Sequence, residues 1–263
     1  VCIQGSEATH VISCYLTKGK RTRDSEEKLV SECLGALIGI ACGVSSEIPK
    51  LSQNIEYEFV KSKKEWIQLI DSEIEFIKCQ EEISRLIFPG TFNPIHEGHL
   101  QIKEIAEKMT KQKLFFEISV SNVDKAPLSY YEIQKTIEQF SNEHRWVLTN
   151  APTFQEKIKL FPKSTFVVGT DTLMRIFDQK YYQDQLSMNK ALECFDEYDA
   201  RFIVFGREIE KTFRSLEDLK IPTSMLHRFE GVSENEFRMD IRSRDIKRSN
   251  GVEHLQSILC IVS

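Results

Sequence analysis

The chain has 263 residues, enough for one large domain or for a domain with a smaller companion. Hydrophobic residues make up 41% and charged residues 29%, which excludes a disordered, collagenous or disulfide-rich chain. Lysine and arginine number 35 against 40 aspartates and glutamates, and this net charge of -5 argues against a protein that coats nucleic acid. An anionic ligand would therefore need a local positive site.

The cysteines and the apolar segments bear on the compartment. Seven cysteines are scattered singly with no C-x-x-C pair, which indicates a reducing compartment, so we expect a cytoplasmic protein. The longest apolar stretch, residues 34–44, is too short for a membrane span of about 20 residues, so no membrane partner is expected. The first methionine is Met109, and we expect a fragment that has lost upstream sequence, including any organelle-targeting signal.

The first 55 residues predict one strand followed by one helix. His10–Leu16 is rich in β-favouring residues and precedes a turn-like Lys-Gly-Lys run. Asp24 and Glu27 have the spacing of a capping box ahead of apolar residues at helical intervals, and Gly43 ends that helix. One strand and one helix cannot bury a core alone, so residues 1–55 are predicted to be a partial α/β segment of a larger domain.

A second amphipathic helix is predicted between about Glu56 and Glu82, as a linker helix over residues 56–83. Its apolar residues recur with a helical period and form a stripe that we expect to face the core: Phe59, Trp66, Ile67, Ile70, Ile74 and Ile77.

From residue 84 onward, short apolar runs alternate with helical patterns. This alternation is typical of βαβ units and of a parallel sheet covered on both faces. The predicted strands are Arg85–Phe88, Leu114–Val120, Trp146–Thr149, Thr165–Val168 and Arg201–Phe205, and the predicted helices are Leu100–Met109, Ser129–Phe140 and Gln183–Glu197. Ser129 and Glu132 have the spacing of a capping box at the start of the second of these helices. Ligands of such sheets bind beyond the carboxyl ends of the strands, so site residues are expected just after each apolar run.

The loop after the first run carries the most information. It reads G-T-F-N-P-I-H-E-G-H over residues 90–99, and a helix begins near Gly98. A helix N-terminus offers free N–H groups and a positive dipole end, which favour a phosphate. His96 and His99 are three residues apart, so both imidazoles could donate to one phosphate. The histidine pair alone is weak evidence of a site, whereas the whole string between a strand and a helix is far more specific.

This string resembles the G-x-F-x-P-x-H-x-G-H signature of the nucleotidylyltransferase superfamily. The resemblance implies a Rossmann-like α/β fold over residues 84–263. It also implies transfer of an adenylyl or cytidylyl group from ATP or CTP to a phosphate-bearing acceptor, with Mg2+ present and pyrophosphate released. The site residues that it implies are His96 and His99 for catalysis and Gly90, Thr91, Phe92 and Gly98 for nucleotide contacts.

Two further segments narrow the resemblance. Residues 169–173, G-T-D-T-L, look like an element of nicotinamide or nicotinate mononucleotide adenylyltransferases, which implies a role in NAD biosynthesis and nucleotide contacts for Gly169 and Asp171. Asp171 could instead cap the next helix. Lys125 aligns more loosely with a phosphate-binding lysine, and a solvated surface lysine is the alternative.

The last motif departs from the family pattern. The superfamily has I-S-S-T-x-x-R, whereas residues 241–247 read I-R-S-R-D-I-K. Ser243, Arg244 and Lys247 are the predicted phosphate contacts, although the arginines are bulkier than the serine and threonine that they replace. Two alternatives therefore stay open. One is a catalytically degenerate, nucleotide-binding regulatory protein, and the other is a cytidylyltransferase or pantetheine-phosphate adenylyltransferase.

Residues 10–43 are similar to the end of the C-terminal domain of the competence-damage-inducible protein family. This second resemblance implies a parent protein that joins two nucleotide-handling modules. The expected partners are small-molecule nucleotides, with no nucleic acid and no membrane, and a homo-oligomer is left open.

Overall fold

A computed structural model of the chain describes residues 1–14, 16, 19–44, 55–80, 82–123, 126–209 and 212–238. Its largest element is a seven-stranded sheet with the order β12-β9-β8-β5-β6-β7-β4, in which only β4 is antiparallel to its neighbour. The strands are β4 (Phe76–Lys78), β5 (Leu86–Pro89), β6 (Leu114–Ser119), β7 (Arg145–Thr149), β8 (Thr165–Gly169), β9 (Arg201–Phe205) and β12 (Phe229–Val232).

Helices cover both faces of this sheet. One face carries α3 (Glu97–Thr110) and α4 (Tyr130–Glu138), and the other carries α5 (Phe154–Leu160), α6 (Thr170–Ile176) and α7 (Gln185–Glu197). Successive residues of β6 serve the two faces, since Phe115 belongs to one core cluster and Phe116 to the other. The parallel sheet with two helical layers confirms the predicted Rossmann-like α/β fold.

The predicted elements after residue 84 agree closely with the observed ones. All five predicted strands and all three predicted helices are present, with ends displaced by a few residues. Ser129 and Glu132 form the predicted capping box, in which each backbone N–H donates to the other side chain, at 2.8 and 3.2 Å. A small hairpin of β10 (Arg207–Ile209) and β11 (Thr212–Arg214) follows β9 and was not predicted.

The long helix predicted over residues 56–82 is wrong. The structure has β3 (Ile55–Lys61), α2 (Lys64–Ile70) and β4 in its place. Apolar and acidic residues alternate through Ile55–Glu58, which is the period of a strand, and the helical period holds only around α2. The backbone hydrogen bonds of β3 are made with β2 (Ala8–Cys14), and those of β4 are made with β7. Residues 56–83 therefore supply strands to two sheets rather than a linker helix.

The N-terminal residues form a three-stranded antiparallel sheet rather than a single strand. Its strands are β1 (Cys2–Gln4), β2 (Ala8–Cys14) and β3, and α1 (Arg23–Ala41) packs on one face around Ile12, Cys33 and Leu37. The predicted cap at Asp24 is also wrong. The helix begins after Thr22, whose hydroxyl accepts the Ser25 N–H at 3.3 Å.

The other face of this small sheet contacts α4. Tyr130 is the first residue of α4, so its N–H has no acceptor within the helix. That N–H donates instead to Gln4 Oε1 at 2.8 Å and to Thr9 Oγ1 at 3.1 Å, and Lys135 pairs with Glu58 at 2.9 Å. The N-terminal sheet therefore anchors the start of α4.

A buried ion pair lies under the carboxyl end of the large sheet. Glu117 on β6 is fully buried, and its Oε1 accepts from Lys157 Nζ of α5 at 2.7 Å and from the Thr149 hydroxyl. Lys157 also donates to Ala151 O at 2.6 Å. Two buried charges are tolerated here because each has an opposite charge and further hydrogen bonds.

No helix in the described part of the chain has the length and apolar character of a membrane-spanning segment.

We expect Lys157→Met to lower the free energy of unfolding by about 3–5 kcal/mol, because it leaves the Glu117 carboxylate buried without a counter-charge. The exposed Lys159 on the same helix provides the matched control, and Lys159→Met should change stability by no more than about 0.5 kcal/mol. Urea unfolding of the three proteins measures both values. Equal stability of the two variants would contradict the structural role of the pair.

Candidate functional site

The loop between β5 and α3 lies at the carboxyl end of the central strand. Gly90 N–H donates to Glu117 O at 3.0 Å, which continues the β5–β6 ladder by one residue. Phe92 then adopts a positive φ of 42° and turns its ring back toward Gly90. A Cβ on Gly90 would lie 2.6 Å from that ring, so the glycine is needed to make room for Phe92.

The Phe92 side chain belongs to the core, with 1% of its surface exposed. Its ring meets Phe88 and Phe116 edge-on, with centroids 5.3 and 5.0 Å away, and meets His99 edge-on at 5.1 Å. The ring therefore supports His99 from within the core, and the nucleotide contact of Phe92 stays a prediction.

His96 and His99 come together at the N-terminus of α3. His96 is the N-cap residue, and its backbone N–H donates to His99 Nδ1 at 3.2 Å. The two rings stack with centroids 3.7 Å apart and planes 25° apart. Since Nδ1 of His99 accepts a hydrogen bond, the proton of its neutral ring resides on Nε2. The pair thus offers an N–H donor beside a helix N-terminus, and donation by both rings to one phosphate stays a prediction.

Burial favours the neutral form of both imidazoles. Burial lowers the pKa of His99 to about 3, with the charges of His96 and Arg207 acting in the same direction. Burial and the Arg207 charge also lower the pKa of His96. The histidines therefore act here as hydrogen-bonding groups, and among the described residues the positive charge near them comes from Arg207.

Arg207 is the site residue that the sequence analysis missed. It follows β9 and Gly206, and its Nη1 is 3.0 Å from Oδ2 of Asp171 in the first turn of α6. Both side chains remain more than a third exposed, at 38% and 37%. The search for site residues just after each apolar run applied equally to the run that ends at Phe205, so the signal for Arg207 was present.

Gly169 and Asp171 lie at the same edge of the sheet as the histidines. Gly169 is the N-cap of α6, and a Cβ added to it would lie 2.7 Å from Asp171 Oδ1. Asp171 is thus held between Gly169 and Arg207, and it is not the cap of α6. Thr91 is exposed in the loop and Gly98 is buried in the first turn of α3, whereas Lys125, Ser243, Arg244 and Lys247 lie outside the described residues.

The described ranges contain no cluster of three or more His, Cys, Asp or Glu side chains that could hold a metal ion.

Comparison with known proteins agrees with this geometry. The family model described as cytidylyltransferase-like matches residues 87–249, which is more than half of the chain. The chain belongs to the cytidylyltransferase-like family. This membership confirms the predicted nucleotidylyltransferase superfamily, and the matched range contains the loop, both histidines, Asp171 and Arg207.

One relative of the cytidylyltransferase-like chain is a protein of Schizosaccharomyces pombe named "Putative nicotinamide mononucleotide adenylyltransferase". The two are 30% identical over 139 residues, which cover 48% of this chain and 54% of the relative. The chain therefore spans about half the length of this curated relative.

The low pKa of His99 predicts an acid-dependent loss of stability. The ring has a pKa of about 3 when folded and about 6.5 when unfolded, so the unfolded state takes up the proton first as the pH falls. Stability that is complete above pH 6.5 should therefore decline toward pH 3, with a slope approaching about 1.4 kcal/mol per pH unit from this group.

Urea unfolding between pH 7 and pH 4 measures this slope. His99→Asn keeps an acceptor for the His96 N–H but does not titrate, so it should lose less stability per pH unit than the parent chain. Identical slopes in the two proteins would show that His99 is not buried as a neutral ring.

Gly90→Ala should destabilise the chain by about 1–3 kcal/mol, because the new Cβ would collide with the Phe92 ring. The matched control is Gly35→Ala on the open side of α1, where a Cβ meets nothing within 4 Å and should stabilise the helix by about 0.5–1 kcal/mol. Thermal and urea unfolding compare the two variants. A neutral effect of Gly90→Ala would mean that Phe92 does not need the space beside residue 90.

Proposed function

We propose that this cytidylyltransferase-like chain transfers the adenylyl group of ATP to the phosphate of nicotinamide mononucleotide or a closely related mononucleotide and releases pyrophosphate. The observation that carries the proposal is the stacked, neutral pair of His96 and His99 at the N-terminus of α3. The acceptor is suggested by the name of the yeast relative and by the G-T-D-T-L segment that begins at Gly169.

The reaction requires alignment of the acceptor phosphate with the α-phosphate of ATP and neutralisation of the developing charge. It does not require a strong base. The acceptor phosphate is already a nucleophile, and one of its oxygens attacks the α-phosphorus of ATP. The bond from the α-phosphorus to the oxygen that bridges to the β-phosphate breaks, and its electron pair leaves with pyrophosphate. The protein lowers the barrier by holding the two phosphates in line and by stabilising the charge that develops on the leaving group.

The described residues can perform this task. The Nε2–H of His99 would donate to a phosphate oxygen, and the free N–H groups of the first turn of α3 would add donors from the same side. Arg207 would supply the fixed positive charge, since a phosphate can take the place of Asp171 in a pair that is more than a third exposed. Lys125, Ser243, Arg244 and Lys247 are proposed as further phosphate contacts.

Magnesium is proposed to enter with the nucleotide, as part of the substrate. Mg2+ would neutralise phosphate charge there, and such an ion is commonly held by only one or two carboxylates together with the substrate phosphates. Asp171, the carboxylate that pairs with Arg207, would hold such an ion if Arg207 turned to a phosphate.

The test is pyrophosphate release with ATP or CTP, Mg2+ and, separately, nicotinamide mononucleotide, nicotinate mononucleotide or phosphopantetheine. We expect release with ATP and a nicotinamide or nicotinate mononucleotide. His99→Ala should lower turnover at least about a hundredfold, as for the loss of one preorganised donor, while ATP binding measured by calorimetry survives. His227 is an exposed histidine that precedes β12, at the amino end of the parallel strands and thus opposite the carboxyl end that carries the site. His227→Ala should therefore leave turnover unchanged.

Other outcomes would replace the proposal. Release with CTP or with phosphopantetheine alone would assign a different transferase of the same family. ATP binding without pyrophosphate release for any acceptor would indicate a binding protein. Full activity of His99→Ala would remove the histidine from the reaction.

A further inference from the structure

Gln139 follows the last residue of α4 and contacts the histidine loop at two points. Its Oε1 accepts the Ile95 N–H at 2.8 Å, and its Nε2 donates to Phe92 O at 2.9 Å. One side chain thus joins both ends of the segment from Phe92 to Ile95, directly before His96. We propose that Gln139 is a positioning residue that holds the histidine pair in place for the phosphate chemistry, an inference that rests on the proposed function.

The loop needs such a support because of where its backbone lies. The β5–β6 ladder ends with the Gly90 N–H, and the hydrogen bonds of the helix begin with the N–H of His99. The Phe92 carbonyl and the Ile95 N–H lie between these two ladders, and Phe92 has a positive φ that few residues adopt. Without Gln139, two backbone groups of a tight turn would lose their partner, and the turn would have more freedom to open.

Only a side-chain amide of this length fits the two contacts. Glutamine presents one acceptor and one donor on the same group, which matches an N–H at one end of the segment and a C=O at the other. Glutamate would keep the bond to Ile95 but place an oxygen against the Phe92 carbonyl. Methionine has nearly the same length and offers neither bond.

The helix that carries Gln139 is itself fixed at its other end. The N-terminal sheet binds the first N–H of α4 through Gln4 and Thr9, and Ile133 and Thr136 of α4 are buried. The N-terminal sheet holds the first residue of α4, and α4 has only nine residues. The sheet therefore also limits the position of Gln139 at the other end of the helix, and with it the position of the loop. The N-terminal sheet thus contributes to placing the histidines through α4.

Gln139→Met and Gln139→Glu test the proposal, with Gln134→Met and Gln134→Glu as controls. Gln134 is on the same helix and donates to Glu138 at the surface. Gln139→Met should lower kcat about a hundredfold, as expected for reacting groups displaced by about 1 Å, with little change in the KM for ATP. Gln139→Glu keeps one bond and should give an intermediate loss, and the Gln134 variants should stay within about twofold of the parent chain.

A second readout does not depend on the reaction. NMR titration of the histidine ring protons should show that His99 stays neutral to about pH 3 in the parent chain, with His99→Asn used to assign its signal. In Gln139→Met the loop opens to water, so the pKa of His99 should move up toward its ordinary value, while Gln134→Met should titrate like the parent chain.

The two readouts separate the inference from the proposed function. If the parent chain releases no pyrophosphate, the proposed function fails, and the titration of His99 still decides whether Gln139 positions the loop. If Gln139→Met lowers only thermal stability and leaves both kcat and the His99 titration unchanged, Gln139 is an ordinary structural residue and the inference is overturned.

Discussion

The burial of the Phe92 ring is the interaction on which the site depends. The ring occupies the space beside Gly90 that a side chain at that position would fill, and it contacts Phe88 and Phe116 of the central strands. From there it supports His99 edge-on. The strand end, the loop and the first helical turn are therefore packed as one unit, and close packing leaves the histidine rings little freedom.

The same packing decides the electrostatics of the site. Rings held against aromatic side chains lose water, and this loss lowers the pKa of both histidines more than any neighbouring charge does. Neutral rings still donate hydrogen bonds, and burying them costs far less than burying an imidazolium. Among the described residues the positive charge of the site lies on Arg207, which stays partly in water and is paired with Asp171. The two histidines favour their neutral form.

The N-terminal sheet and the seven-stranded sheet are connected through α4. Its N-terminal N–H is bound by the small sheet, and the glutamine that follows its last residue is bound to the histidine loop. Residues 56–83 reinforce the connection, because β3 pairs in the small sheet and β4 in the large one. Elements that lie far apart along the chain thus share one short helix as a common support.

The sequence alone determined the features that depend on local pattern. The five strands and three helices predicted after residue 84, the capping box at Ser129 and the loop with His96 and His99 follow from periodicity and from a contiguous motif. Tertiary structure decided what requires distant segments to meet. The residues predicted as one long helix form β3, α2 and β4, because their strand partners lie elsewhere in the chain. The Phe92 ring is buried in the core. Tertiary structure also brought Gln139 to the loop and paired Arg207 with Asp171. Hydrogen bonds and ion pairs between distant segments leave no spacing in the sequence, although the position of Arg207 just after an apolar run was a signal that the sequence did contain.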